Sequence, residues 1–172
     1  MALTLVKEDG TGKADANSYA SVADGDAYHD GHLYATAWTA ATQANKEKAL
    51  VFATRLIDAE FRFKGVKANS AQALQWPRSE CRDPDGSDDL ASDVVPSAVV
   101  NATCEMAREL LIKDRTAAYA GEGLKYQNVG STQTGYDKSD TPPVISRITQ
   151  AMLAKLGALV KAKSGAVNLV RV

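Results

Sequence analysis

The chain of 172 residues is 45% hydrophobic and 24% charged, with 12 Gly and 5 Pro, a composition that excludes a disordered tail and suits one globular domain needing no covalent staples. Twenty basic residues stand against 21 acidic ones, a net charge of -1, so no global field draws the molecule onto nucleic acid or anionic lipid and any polyanion contact has to be local. Two cysteines, Cys81 and Cys104, are too few for a disulfide framework or a structural zinc site.

Residues 1–20 begin with alternation at Leu3 and Leu5 and run through Gly10, Gly12 and Asn17-Ser18, which predicts a short strand and a polar lead-in. This start lacks the basic residues and long apolar run of a signal peptide, so folding in a reducing cytoplasm is expected. No later run is apolar for the ~18 residues a membrane-spanning helix needs. Ser21 is placed to cap a helix over about 22–34, although Gly25 and Gly31 each cost it roughly 1 kcal/mol relative to Ala. A stronger helix starts after Thr42, with Ala49, Phe52, Ala53, Leu56 and Glu60 on one stripe that Leu50 and Ile57 widen, and its pattern stops near Gly65.

Residues 66–93 are irregular, broken by Pro77, Pro84 and Gly86. From Ser79 to Asp93 six acids (Glu80, Asp83, Asp85, Asp88, Asp89, Asp93) face one base, Arg82, which predicts a solvated acidic loop. The longest helix is expected over about 94–117, capped by Asp93, with Val95, Val99, Ala102, Met106 and Leu110 on one face. Gly121 to Asp140 is polar and reads as a hairpin around Gly130-Ser131. Pro142-Pro143 then opens a last helix to about 162, carrying Ile145, Ile148, Met152, Leu156 and Leu159. The end of the chain, Ala166 to Val172, alternates as a strand. Val144 to Val172 holds five bases (Arg147, Lys155, Lys161, Lys163, Arg171) and no acid, so the charge is lopsided and suits head-to-tail association or docking to an acidic ring.

No chemistry-bearing constellation stands out. His29 and His32 lie three apart near Asp26 and Asp30, but no further ligands follow at a metal-site spacing. Asp83 to Asp89 has Asp88 where a calcium loop needs its Gly and Val94 where it needs its Glu, so a turn is the better account. No G-x-S-x-G is present, and Gly121-Glu-Gly123 has too few glycines and no following Lys-Ser/Thr for a phosphate loop. The chain is therefore expected to be no enzyme and to need no metal or other cofactor. One local cluster suits single-stranded nucleic acid: Phe61, Phe63 and Trp76 interleaved with Arg62, Lys64, Lys67 and Arg78. A core role for these rings, with the basic stems laid over them, is the competing account.

The segments NSYASVADGDAYHDG (17–31), AWTAATQANKEKALVFATRLID (37–58) and QALQWPRS (72–79) followed by VVPSAVVNATCEMA (94–107) carry a resemblance. Together they resemble the head-tail connector (adaptor) proteins of long-tailed phages, a group also labelled DnaT-like single-stranded-DNA-binding proteins. The resemblance implies a mainly α fold: a small bundle of about four helices over residues 1–160, with the 121–140 hairpin and an extended docking tail at 161–172. It implies a virion protein assembled in the host cytoplasm into a ring of twelve copies, extending the DNA channel beneath the portal. Expected partners are further copies, the portal and the tail-completion or terminator proteins, with duplex DNA passing through the lumen without specific binding and no membrane. Trp76, Pro77 and Arg78 become a structural corner, Trp76 packed on the Ala49–Ile57 helix and Arg78 paired with an acid or a carbonyl. Leu124, Tyr126, Val129 and Tyr136 of the hairpin, and Lys161, Lys163, Val167, Leu169 and Arg171 of the tail, become oligomer or portal contacts. The alternative under the same label is a single-stranded-DNA binder of replication or primosome type.

Overall fold

A computed structural model describes residues 3–118, 126–130, 132–135 and 143–160. Among them are five helices, α1 (Val22–Asp30), α2 (Thr36–Thr39), α3 (Gln43–Glu60), α4 (Ser97–Ile112) and α5 (Arg147–Leu153). Six short strands accompany them: β1 (Phe61–Phe63), β2 (Val66–Lys67), β3 (Arg78–Ser79), β4 (Tyr126–Val129), β5 (Thr132–Gly135) and β6 (Gly157–Leu159). Three two-stranded ladders stand beside the helices among the described residues, so this is a mixed α/β domain, and the expectation of a mainly α bundle of about four helices is corrected.

Local chemistry sets the starts of α1 and α3. Ser21 and Asp24 form a reciprocal capping box at α1, and Lys7 pairs with Asp24 at 2.7 Å, tying the first residues to that helix. Gly25, costly to a helix in isolation, is required by packing: a Cβ there would stand 2.3 Å from the ring of the fully buried Trp38. The Thr42 hydroxyl accepts from the Asn45 amide and starts α3. Helix α4 begins three residues later than the sequence predicts, with Pro96 rather than Asp93 at the N-cap and no side-chain cap bond.

The largest departure is at the last helix. Ser146, not the Pro142-Pro143 pair, caps α5, its hydroxyl accepting from the Thr149 amide. The helix ends at Leu153, and residues 157–159 run antiparallel to β1, pairing Phe61 with Leu159, Arg62 with Ala158 and Phe63 with Gly157. Gly157 permits this approach, since a Cβ would meet the Arg62 carbonyl at 2.6 Å. The apolar spacing of Leu156 and Leu159 fits a helix face, but the turn and strand that close against β1 bury Leu156 and half-bury Leu159.

The remaining ladders are β2 with β3 and β4 with β5, the latter turning through Gly130. Helices α3 and α4 pack together at the centre, α5 lies on α4, and α1 and α2 cover another side of α4. One buried cluster joins them, including Tyr19, Trp38, Leu50, Ile57, Trp76, Val99, Met106, Ile145 and Leu153. The chain end expected as a strand, 166–172, lies outside the described residues.

Candidate nucleic-acid interface

The basic and aromatic residues singled out in the sequence converge on the end of α3. Alternation along β1 turns Phe61 and Phe63 inward and Arg62 outward. The two Phe rings stack at 5.9 Å, and Phe63 meets Trp76 edge-on at 5.6 Å. Trp76 has no exposed surface. None of these three rings can stack on a base, because each already faces protein.

Trp76 is held there by the bent segment around it. Trp76-Pro77 is a cis peptide, and Gln72, itself buried, donates through Nε2 to the carbonyls of Leu74 (2.9 Å) and Pro77 (3.0 Å). The Gln75 and Trp76 amides donate to the Tyr19 hydroxyl at 3.0 and 3.2 Å. Asp58 of α3 accepts from the Tyr19 hydroxyl and, at 3.0 Å, from the Gln75 amide. Burial raises the Asp58 carboxyl to about 6, outweighing the lowering by those two donors and by nearby Lys67 and Arg78. Burial and the adjacent Asp58 charge raise the Tyr19 hydroxyl well above its usual value.

Arg78 is equally committed. Its Nε donates to the Lys64 carbonyl (2.6 Å), Nη2 to the Gly65 carbonyl (2.6 Å), and Nη1 to both the Gln75 carbonyl (3.0 Å) and side chain (3.1 Å). The guanidinium thus ties the β1–β2 turn to the segment before β3 and has few donors to spare for phosphate.

The outward basic side chains are different. Arg62, opposite the small Ala158, and Lys64 and Lys67 are exposed, and none has a carboxylate partner among the described residues. Lys64 Nζ donates only to the Lys155 carbonyl (2.9 Å) and Lys67 Nζ to the Gln72 carbonyl (3.4 Å), contacts that leave both charges unneutralised. Lys155 extends the row but is bidentate to Asp85 of the acidic loop at 2.6 and 2.8 Å. The ribbon made by β1 and β6, continued by Val160 N–H to the Glu60 carbonyl at 2.7 Å, leads into the basic sequence from Lys161 onward.

The two histidines are not brought together as ligands. His29 is buried and donates through Nε2 to the Cys104 carbonyl at 3.1 Å; burial pushes its pKa down. His32 Nδ1 accepts the Tyr34 amide at 3.0 Å, and its Nε2 lies 3.7 Å from Glu105. Asp26 is occupied by the Trp38 indole N–H and by Lys46. Among the described residues no three His, Cys, Asp or Glu gather to hold a metal.

Of the residues expected as oligomer or portal contacts, Tyr126 and Val129 lie in β4. Leu124, Tyr136, Lys161, Lys163, Val167, Leu169 and Arg171 lie outside the described residues. Sequence reading missed Tyr19 and Asp58, which clamp the QALQWPRS segment from 39 residues apart, and Glu105, an acid inside an apolar helix face. No local period signals either.

The sequence model of a family described as "Putative DnaT-like ssDNA binding protein" matches residues 3–172. The chain belongs to this family. Comparison with curated proteins and with solved structures gives no match. The family match corrects the head-tail connector expectation: it supports no virion ring under a portal, no portal or tail-completion partners, and no duplex passing without specific binding. The physical difference is that a lumen has to let phosphates slide, whereas a single-strand binder has to hold them.

Proposed function

We propose that the protein binds single-stranded DNA, holding the phosphate backbone along the β1–β6 ribbon. The observation that carries this reading is the family match over residues 3–172; the exposed, carboxylate-free side chains of Arg62, Lys64 and Lys67 supply the local positive field that a net charge of -1 cannot. It differs from the sequence expectation in mechanism. The rings of Phe61, Phe63 and Trp76 build the platform beneath the ribbon, and the cations above it meet the DNA.

The chemistry proposed is binding without turnover. Asp58, whose carboxyl is raised to about 6, is enclosed by Tyr19, Gln75 and Trp76 within the fold, so its shift serves the clamp on Trp76 rather than a substrate. The acidic loop limits what the ribbon accepts: Asp85 already neutralises Lys155, and Asp83 and Asp88 of the same loop, joined by an amide-to-carbonyl bond at 3.0 Å, repel phosphate at that end, which a flexible single strand avoids more readily than a stiff duplex.

Competition for a labelled oligothymidylate tests the proposal. Unlabelled single strand should displace the probe at much lower concentration than duplex of the same length, and Arg62→Glu should weaken the folded protein for both. Displacement by duplex as readily as by single strand, or an unaltered affinity in Arg62→Glu, would refute it.

A further inference from the structure

Among the described residues, the rings of Tyr19, Trp38, Phe61, Phe63 and Trp76 are buried. Tyr34 is 74% exposed, and its neighbour Leu33 is 86% exposed. Both project from the turn joining α1 to α2. Single exposed apolar residues are ordinary on protein surfaces; an adjacent pair whose backbone is anchored on both sides is a presented feature.

The anchoring is specific. On the N-terminal side the His32 amide donates to the His29 carbonyl at 3.0 Å, and His29 is itself fixed to α4 through the Cys104 carbonyl. The Tyr34 amide donates to His32 Nδ1 at 3.0 Å, which places the proton of a neutral His32 on Nε2, facing the buried Glu105 at 3.7 Å. Arg108 pairs with the other Glu105 oxygen. On the C-terminal side Ala35 is buried, and its carbonyl accepts from the Trp38 amide (2.9 Å) and the Thr39 amide (3.0 Å), starting α2. Tyr34 is thus held outward by a turn that is already ordered, and a side chain with only two torsions loses little freedom when it makes a contact.

We infer that Tyr34 is a nucleobase-stacking residue, its ring offered to single-stranded DNA from the α1–α2 turn. This rests on the single-strand reading above and assigns the base contact that the ribbon lacks. Proteins that bind single strands without sequence readout combine a cationic track with an aromatic face, and here the two lie apart. From Lys46, whose Nζ sits 5.1 Å over the Trp38 ring beside the turn, helix α3 runs on to its junction with β1 at Phe61, a rise of about 22 Å. A single strand of several nucleotides is long enough to cover that length. The exposed acid Asp30, four residues before the ring, disfavours phosphate at this point, so the ring meets the base and not the backbone.

The test compares two probes of about 16 nucleotides, within the length such sites cover: oligothymidylate and an abasic strand of equal charge. Tyr34→Ala, which removes an exposed ring and should leave the circular dichroism spectrum unchanged, is expected to weaken oligothymidylate binding by about tenfold. The abasic strand should bind the variant as it binds the wild type, and Tyr34→Phe should retain affinity. If the wild type binds oligothymidylate and Tyr34→Ala binds it equally, the stacking role is overturned while the single-strand reading stands. Equal losses on both probes also overturn it, since the ring would then be acting on the backbone contact. A wild type that binds neither probe removes the reading and this inference together.

Discussion

Replacing Asp58 by Asn while varying pH isolates the cost of the half-buried carboxylate that holds the QALQWPRS segment. Its carboxyl is raised from 3.8 to about 6 in the folded protein, so folding favours the protonated form. The contribution to stability is complete below the unfolded value and is lost as pH rises through the folded one. The whole shift corresponds to roughly 3 kcal/mol, of which roughly 1.4 kcal/mol falls between about pH 5 and about pH 7.5. His29, pushed down by burial, acts oppositely, since its charging destabilises the fold as pH falls, and so the wild-type profile alone is a mixture. Urea denaturation of wild type and Asp58→Asn at both pH values removes that common part. The wild type should lose about 1.4 kcal/mol more than the variant on going to the higher pH. An equal change in both proteins would show that Asp58 does not titrate in this window. An extra gain in the wild type would show that the donors from Tyr19 and Gln75 outweigh burial, reversing the balance of forces assigned here.

Trp76→Ala should destabilise the domain by about 3–5 kcal/mol, as for other buried aromatic truncations, measured by chemical denaturation; a loss below about 1 kcal/mol would contradict its enclosure by Phe63 and the Tyr19 clamp. Gly157→Ala should cost several times the few tenths expected of an exposed strand position, because its Cβ would meet the Arg62 carbonyl, and hydrogen exchange should report opening at β1 and β6. Lys155→Ala, which releases Asp85 from an exposed ion pair, should change stability by less than about 1 kcal/mol; a larger loss would make that pair a structural tie rather than a surface contact.

Helices α3 and α4 were legible because their apolar residues recur at a helical period over four or more turns, long enough for the stripe to dominate. The last helix was misread because Leu156 and Leu159 satisfy both a helix face and a strand packed on Phe61, and only the distant β1, nearly 100 residues earlier, selects the strand. The face was rotated as well: Ile148 is exposed, and Leu153, not assigned to it, is buried. At the site, the clustering of Phe61, Phe63 and Trp76 with basic residues was visible, but composition cannot tell which way a three-residue strand faces. The alternation that sends both Phe rings inward depends on β6. Tyr34 carried no signal at all, since an exposed ring is defined by what fails to cover it.

Fluorescence anisotropy of a labelled oligothymidylate across a salt series, with the full chain and with an Arg62→Glu, Lys64→Glu, Lys67→Glu variant, tests the central claim most directly. Each phosphate neutralised on a single strand contributes a slope of about -0.7 in log affinity against log salt. The account predicts binding that weakens with salt, and a variant, still folded, whose slope is shallower by about two. A folded wild type that leaves the probe free at low salt, or a variant with the wild-type slope, would contradict it.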